Sequence, residues 1–257
     1  MDFKTLDVKM EGKLGILTIN RPEVRNAINL ETVNEIYKAL DFFQENEASV
    51  VIITGAGDKV FVSGADINDL KTRNKFDAFK GINNKLFDTI EKFYCPVIAA
   101  INGFSLGGGF EIALACDIRI ASTRAKFGFP ETSLGIIPGA GGTQRLPRLI
   151  GLSRAKEIVL TGRIFGAEEA KNVGIVAEVT EPEALLEKAT EVAEKIMARA
   201  PLAVRFAKLN LNNSTQTPQD AGMLLEMISQ AVLFESDDKL EGMTAFLEKR
   251  KADFKGR

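Results

Sequence analysis

The alternation of short β-branched runs with amphipathic runs is the feature that most restricts how this chain can fold. Strand-like segments, several apolar enough to be covered on both faces of a sheet, are LGILTIN (14–20), SVVIITG (49–55), CPVIAAIN (95–102) and DIRIAS (117–122). Helical spacing of apolar residues is seen in LETVNEIYKALDFFQEN (30–46) and KFDAFKGINNKLFDTIEKF (75–93). Strands that alternate with helices need crossover connections, so the pattern predicts an α/β fold.

The pattern changes near residues 177–182, after which the strands stop and helical segments rich in Glu, Lys and Ala continue. We therefore expect an α/β core over residues 1–180 and a helical region over residues 181–257. Within the core, a unit of strand, short strand or turn, and helix recurs loosely, which hints at an internal repeat. The pattern alone leaves open whether the helical region is a lid, a packing layer or an oligomer contact.

Composition excludes several classes of chemistry, because the 257 residues contain no histidine. A Ser-His-Asp triad, a Cys-His dyad and histidine-based zinc or iron sites are ruled out. Acid–base work would have to come from carboxylates, lysine or tyrosine. With a formal net charge of −2, the chain lacks the excess of basic residues that is typical of nucleic-acid-binding proteins.

The distribution of apolar residues and cysteines bears on location. No segment approaches the roughly 20 apolar residues that cross a bilayer, and the first residues lack the long uncharged core of a signal peptide. Cys95 and Cys116 lie in apolar surroundings without CxxC spacing. We expect reduced core cysteines in a cytoplasmic protein with no membrane partner.

Three short motifs suggest chemistry that the rest of the chain does not support. GFSLG, around Ser105, matches the nucleophile elbow of serine hydrolases, but that serine has no histidine as its base. No complete GxGxxG or GxxxxGK[ST] fingerprint opens a helix. DIND at 66–69 lacks the glycine of a calcium loop, so no metal site is predicted.

A run of three glycines, Gly107 to Gly109, stands between a strand and a helical pattern. Glycine lets the backbone approach a ligand closely, and a helix N-terminus offers unpaired N–H groups and partial positive charge. FVSGADI at 61–67 is a second glycine-bearing segment after a strand. Two such turns at the carboxyl ends of neighbouring strands could each supply one donor of an oxyanion hole.

Two glutamates accompany these turns. Glu111 lies one turn into the helix, on the face of Leu114 and Ala115, so its carboxyl is expected to point toward the core, while Glu131 follows a short strand and a proline. Paired carboxyls removed from water can divide acid and base duties. Taken singly, a run of glycines is more often a loop or a close-packing device, and a glutamate after a proline more often marks the start of a helix than a catalytic site. Taken together, the two glycine turns and the two glutamates are hard to explain by packing alone.

The ordered motifs FVSGADI, PVIAAINGFSLGGGFEIALACDIRIAS, FGFPETSLGIIPGAGGTQRLPRLIG and LTGRIFGAEEAKNVGIV resemble the crotonase (enoyl-CoA hydratase/isomerase) superfamily. The similarity runs from LTINRPEVRNAIN near the start to AFLEKRKADF near the end. It implies a superhelix of repeated ββα units with a C-terminal helical region that builds homotrimers, commonly paired into hexamers. It is more specific for this fold than for one reaction.

The resemblance also implies an acyl-CoA thioester substrate whose carbonyl oxygen is held by the backbone amides of Ala65 and Gly108. In the hydratase branch Glu111 and Glu131 match the catalytic positions, and water is added syn across a 2-trans double bond to give a 3-hydroxyacyl-CoA, as in fatty acid β-oxidation. Glu111 would bind and help deprotonate the water, and Glu131 would protonate the α-carbon. No cofactor or metal is implied, because coenzyme A enters as part of the substrate.

Further positions would contact the substrate by the same resemblance. The segment from Arg25 to Ile28 would lie near the pantetheine and adenine, the segment from Ala65 to Asn68 along the acyl-CoA, and two tail residues at the nucleotide end across a subunit interface. The implied contact residues are Arg25, Ala27, Ile28, Ala65, Asp66, Ile67, Asn68, Gly108, Phe246 and Lys249.

The chain departs from the common pattern at Phe110, Phe129 and Ser63. We expect the two aromatic rings to narrow or reshape the acyl pocket, with a modest preference for a short substrate such as crotonyl-CoA. Alternatives on the same fold are double-bond isomerisation, decarboxylation, ring cleavage and thioester hydrolysis. Two alternatives belong to another class of function: a catalytically silent binding protein and an RNA-binding relative. The two intact glutamates argue against the first, and the acidic composition argues against the second.

Overall fold

The computed structural model describes residues 2–257. Its strands are β1 (Leu6–Glu11), β2 (Leu14–Ile19), β3 (Val50–Gly55), β4 (Val60–Val62), β5 (Val97–Ile101), β6 (Phe104–Leu106), β7 (Ile118–Ser122), β8 (Lys126–Gly128), β9 (Ile164–Gly166) and β10 (Glu178–Thr180). Its α-helices are α1 (Leu30–Glu45), α2 (Ile67–Thr72), α3 (Lys75–Lys80), α4 (Ile82–Glu91), α5 (Gly108–Ala115), α6 (Gly142–Ile150), α7 (Leu152–Thr161), α8 (Ala167–Asn172), α9 (Leu185–Met197), α10 (Pro201–Asn213), α11 (Gln219–Phe234) and α12 (Asp237–Leu247). Short 3₁₀ helices span Pro22–Val24, Pro130–Leu134 and Pro182–Ala184.

The strands form two sheets. The larger has the order β1-β2-β3-β5-β7-β10, and the smaller has the order β4-β6-β8-β9. The β1–β2 and β8–β9 pairs are antiparallel, and the other neighbours are parallel. Parallel neighbours need crossover helices, as the alternating sequence pattern predicts, so the α/β prediction is confirmed.

Successive units contribute one strand to each sheet and then a helix. The pairs β3 and β4, β5 and β6, and β7 and β8 each step from the larger sheet to the smaller, and helices α2 to α4, α5, and α6 to α7 follow them in turn. This is the predicted ββα repeat. The carboxyl ends of β4, β6 and β8 consequently meet at one edge of the smaller sheet.

The larger sheet is covered on both faces. One face contributes residues such as Val51, Ile53 and Ala99 to the main apolar core. The other face packs Ile52 and Ile98 against α9. Helix α9 follows the last strand but still packs on the larger sheet. The predicted division of the chain into a core over residues 1–180 and a helical region over residues 181–257 therefore stays a prediction.

Local sequence explains where α1 begins and why one predicted helix is divided into two. The side chain of Asn29 accepts a hydrogen bond from the Thr32 amide and caps α1. The single helix predicted over 75–93 is instead two helices, α3 and α4, because Gly81 adopts φ 59° and its amide donates to the Ala78 carbonyl. A left-handed glycine ends a helix readily, and apolar spacing does not report it.

The helical region is attached to the core by a buried ion pair. The ammonium of Lys208, in α10, lies 2.7 Å from Asp117 Oδ2 and donates to the Cys95 carbonyl. Asp117 also accepts from the Val97 amide. Burial raises the pKa of Asp117, while Lys208 and the hydrogen bonds oppose that rise.

No helix within residues 2–257 combines the length and apolarity needed to traverse a bilayer.

Replacing Lys208 by alanine is expected to lower the free energy of unfolding by about 3–5 kcal/mol, because Asp117 is left buried without its counter-charge. Urea unfolding at one fixed protein concentration measures the loss. The matched control is Lys195→Ala, which removes an exposed pair with Glu191 and should cost no more than about 1 kcal/mol. Equal losses in the two variants would contradict the role assigned to Lys208.

Candidate active site

The site is a cavity of about 930 Å³ beside the edge where β4, β6 and β8 end. The residues that line it come from helices α2 to α4, from the first turn of α5, from residues 63–65 and from residues 130–140. Of the residues singled out in the sequence, Ala65, Ile67, Gly108, Glu111 and Glu131 all line it. A volume of this size suits a drug-sized or larger ligand.

Two backbone amides lie side by side at the cavity wall. The segment around Ala65 forms a parallel bridge with Ile28 through the Gly64 carbonyl and the Asp66 amide, so the Ala65 amide points the other way. Gly108 is the first residue of α5, where an amide has no partner within the helix. Neither amide donates to a backbone carbonyl within residues 2–257, and a Cβ on Gly108 would lie 3.4 Å from the Ala65 nitrogen.

Gly107 is required where β6 turns into α5. It adopts φ 53° and ψ −125°, a conformation that favours glycine. A Cβ atom at this position would lie 2.8 Å from Oε1 of Glu131. The absence of a side chain therefore lets the carboxyl of Glu131 rest against the backbone that begins α5.

Glu111 is 3% exposed, and its Oε1 accepts hydrogen bonds from the amides of Ala140 and Gly142 at 2.7 and 2.8 Å. Burial raises the pKa of this carboxyl, and the two amides and the Arg145 guanidinium counteract the rise in part. One carboxyl oxygen is thus held in place, and the residue still lines the cavity.

The sequence analysis did not identify the loop that holds Glu111, which is formed by residues 139–142. Arg145 donates to the Ala140 carbonyl at 3.0 Å and forms an ion pair with Glu91 of α4 at 2.7 Å. These contacts fix the backbone whose amides reach Glu111. The glycine-rich stretch PGAGG before α6 was the available signal, since it resembles the glycine run that was recognised before α5.

Glu131, in the 3₁₀ helix, is 8% exposed, and its Oε2 has no hydrogen-bond partner within residues 2–257. Burial raises the pKa of Glu131 to about 7; the nearby charge of Glu111 adds to the rise, and a hydrogen bond from its own amide opposes it. Such a carboxyl exchanges protons near neutral pH. With two free amides and a second carboxyl beside it, the site can polarise a carbonyl oxygen and move a proton.

The other predicted contact residues divide into two groups. Arg25 is exposed, whereas Ala27 and Ile28 are buried, and Ile28 forms the bridge to the Ala65 segment. None of these three lines the cavity; nor do Asp66 and Asn68, which lie at the start of α2. Their predicted contacts with a ligand stay predictions.

Phe246 lies in the last turn of α12 and Lys249 lies two residues beyond its end; neither lines the cavity. The side chain of Phe246 is 83% exposed. Lys249 follows in a left-handed conformation with φ 57°. Their predicted role at the nucleotide end requires a neighbouring subunit and stays a prediction.

The expectation that Phe110 and Phe129 narrow the acyl pocket is wrong. Both side chains are fully buried and neither lines the cavity. Phe110 points away from the ligand space because it sits beside Glu111 on a helix, where adjacent residues face different directions. Ser63, the third departure, does line the cavity.

The rejected nucleophile and the cysteines have structural roles. Ser105 is fully buried and its hydroxyl donates to the Gly109 carbonyl at 2.9 Å. Cys95 and Cys116 are both buried and unpaired with each other. Burial raises the pKa of each thiol to about 12, so both are uncharged at neutral pH.

Comparison with known proteins gives a consistent result. The family model described as enoyl-CoA hydratase/isomerase matches residues 9–257. A short-chain-enoyl-CoA hydratase of Clostridium acetobutylicum is 44% identical over 100% of both chains, and a crotonyl-CoA hydratase of Syntrophomonas wolfei is 46% identical over 99% of both. The crystal structure of an enoyl-CoA hydratase from Bacillus anthracis superimposes with a TM-score of 0.95 at 41% identity, covering 99% of this chain and 100% of that one.

The raised pKa of Glu131 makes stability depend on pH. The folded protein holds this proton up to about pH 7 and the unfolded chain only to about 4.5, so the stabilisation is complete below pH 4.5 and is lost as pH rises to 7. Glu131→Gln keeps the shape without the charge. We expect its stability advantage over the wild type to grow by about 3 kcal/mol across this window, at roughly 1.4 kcal/mol per pKa unit.

Urea unfolding at a series of pH values between 4.5 and 7.5 measures this difference. Glu194→Gln, on the exposed side of α9, is the control and should give a flat difference. A flat difference for Glu131→Gln as well would contradict the shift in pKa.

Proposed function

Because this chain belongs to the enoyl-CoA hydratase/isomerase family, we propose that it is an enoyl-CoA hydratase, a hydro-lyase that reversibly adds water to a 2-trans-enoyl-CoA. The observation that carries the proposal is the convergence of two free amides and two buried carboxyls on one cavity. Hydratases among its full-length relatives support the same reaction. The product is a 3-hydroxyacyl-CoA.

The proposed mechanism begins with the thioester oxygen accepting hydrogen bonds from the amides of Ala65 and Gly108. These donors stabilise the negative charge that develops on the oxygen as the β-carbon is attacked. Glu111, held through one oxygen by the residue 139–142 loop, takes a proton from water as the water oxygen bonds to the β-carbon. Glu131 gives its proton to the α-carbon, and exchange between the carboxyls and solvent restores the starting state.

The assignment of Glu131 as the acid rests on its environment. A pKa of about 7 leaves it protonated in a substantial fraction of molecules at neutral pH. Glu111 has the amides of Ala140 and Gly142 to stabilise its charged form. The two environments thus favour different roles for the same type of side chain.

A short acyl chain is the proposed substrate preference, with crotonyl-CoA as the test compound. The names of two relatives, a short-chain-enoyl-CoA hydratase and a crotonyl-CoA hydratase, support it. The cavity wall also offers apolar contacts from Ile67, Leu134, Ile136 and Ile137. Coenzyme A enters with the substrate, and the proposed reaction uses no separate cofactor.

We propose that the protein works as a homotrimer or a hexamer in the cytoplasm. The C-terminal helices expose large apolar side chains that association would cover, namely Met223, Leu224, Met227, Ile228, Val232, Phe234, Leu240, Met243, Phe246 and Leu247. Within such an assembly Phe246 and Lys249 would reach the nucleotide end of coenzyme A in a neighbouring subunit. Arg25, Asp66 and Asn68 remain proposed contacts within one chain.

Isomerisation, decarboxylation and thioester hydrolysis on the same fold are the competing reactions. Double-bond isomerisation needs one acid–base group, whereas addition of water uses both carboxyls in the cavity. Product mass separates the possibilities, since hydration alone adds one water to the intact enoyl thioester.

Glu111→Gln and Glu131→Gln are each expected to reduce turnover of crotonyl-CoA by at least about 100-fold, the scale of general acid–base catalysis. Loss of the absorbance of the conjugated thioester follows the reaction, and mass spectrometry identifies the product. Glu194→Gln should retain wild-type turnover. Wild-type protein that hydrates no enoyl-CoA of any chain length would overturn the proposed function.

Gly107→Ala should reduce turnover by at least about 100-fold, because the new methyl group collides with the Glu131 carboxyl and displaces an acid–base group. Gly12→Ala is the control. Gly12 also has a positive φ, 62°, but no atom lies within 4 Å of the added Cβ, so this variant adds a methyl group at a positive φ without the collision. Similar activities in the two variants would contradict the steric argument.

A further inference from the structure

Two phenylalanines stack behind the cavity, on the side away from the ligand space. The ring centroids of Phe110 and Phe129 are 4.7 Å apart with an angle of 29° between the planes. Both side chains are fully buried. Phe165 forms an edge-to-face pair with Phe110, with ring centroids 5.9 Å apart, and no ring contact with Phe129 within residues 2–257.

The chain positions of the stacked rings connect them with the two carboxyls. Phe110 is followed immediately by Glu111 in α5. Phe129 occupies the position immediately before the 3₁₀ helix and is separated from Glu131 by Pro130 alone, whose ring restricts the backbone. The stack therefore joins the two backbone segments from which the carboxyls project.

Phe129 has a second contact that bears on the same site. A Cβ on Gly142 would lie 2.7 Å from Cζ of the Phe129 ring, so the ring packs directly on the Gly142 backbone. The Gly142 amide donates to Glu111 at 2.8 Å. One ring thus touches Phe110, beside Glu111, and Gly142, which holds Glu111.

We propose that the Phe110–Phe129 stack is a positioning element that sets the separation and orientation of Glu111 and Glu131. It acts from behind the site, through the backbone that carries each carboxyl, and it makes no contact with substrate. The inference rests on the proposed hydratase function, since its effect is read through that reaction.

The physical basis is the rigidity of packed aromatic rings. Flat rings in a filled interior have few alternative arrangements, so a change at the stack is transmitted to the attached backbone. Misplacement of catalytic groups by about 1 Å can cost on the order of 100-fold in rate. A leucine at either position leaves space into which α5 or the 3₁₀ helix can shift.

The test compares Phe110→Leu, Phe129→Leu and the double variant with Phe165→Leu. Phe165 is the matched control, because it is a buried ring of the same cluster that is attached to neither carboxyl segment. For each protein, kcat and KM are measured with crotonyl-CoA and with a longer enoyl-CoA. The melting temperature is measured in parallel to confirm that each variant is folded at the assay temperature.

We expect kcat to fall by at least about 10-fold in each single variant at Phe110 and Phe129, with KM within about two-fold of the wild type. The double variant should lose less than the product of the single losses, because one stack is broken in each case. Phe165→Leu should keep kcat within about two-fold of the wild type, even if its melting temperature falls as much as those of the Phe110 and Phe129 variants.

Two results would overturn the proposal. A loss of kcat in Phe165→Leu equal to that in the other variants would reduce the effect to general destabilisation. A change in KM or in chain-length preference with kcat unchanged would place the rings in the acyl pocket. Absence of hydration by the wild-type protein is a different failure, since it refutes the proposed function before any variant is compared.

Discussion

The close approach of the first turn of α5 to the end of β4 is the constraint on which the site depends. Any side chain at Gly109 would overlap the Val62 carbonyl oxygen, and Gly108 lies against the Ala65 amide. This contact brings two unpaired amides from distant parts of the chain close together at the cavity. It also fixes the axis of α5 and hence the position of Glu111, so the donors and the carboxyl share one structural cause.

Burial gives the carboxyls their chemistry at a cost in stability. A charged carboxylate in a closed site loses its hydration, and the protein compensates Glu111 with two amides but leaves Glu131 largely uncompensated. The uncompensated group is the one with a pKa close to neutrality. The helix that carries Glu111, α5, is almost wholly buried, and most of its residues belong to the main apolar core.

The sequence predicted what is encoded locally. Apolar periodicity predicted the α/β class and the central strands, and the glycine run with its following glutamate predicted α5 and the face of Glu111. Features set by contacts between distant segments were not predictable in this way: the support of Glu111 by the residue 139–142 loop, and the direction of the Phe110 ring. A hydrophobic pattern says that a ring is buried and leaves open which neighbours receive it, so the inward-facing rings were mistaken for pocket walls.

The repeat explains why so few residues suffice to build the site. The parallel strands β4, β6 and β8 pair side by side, with a register shift between Val60 and Val62 of β4 and with Leu106 opposite Gly128, and each strand ends at the cavity edge. The end of β4 leads to Ala65, the end of β6 to Gly108 and Glu111, and the end of β8 to Glu131. Each ββα unit therefore contributes one part of the site, and the hydrogen-bond register of a three-strand ladder fixes the parts relative to one another. The strands set where α5 and the 3₁₀ helix begin, and the proposed role of the Phe110–Phe129 stack is to set how these two segments, and the carboxyls they carry, are oriented relative to each other.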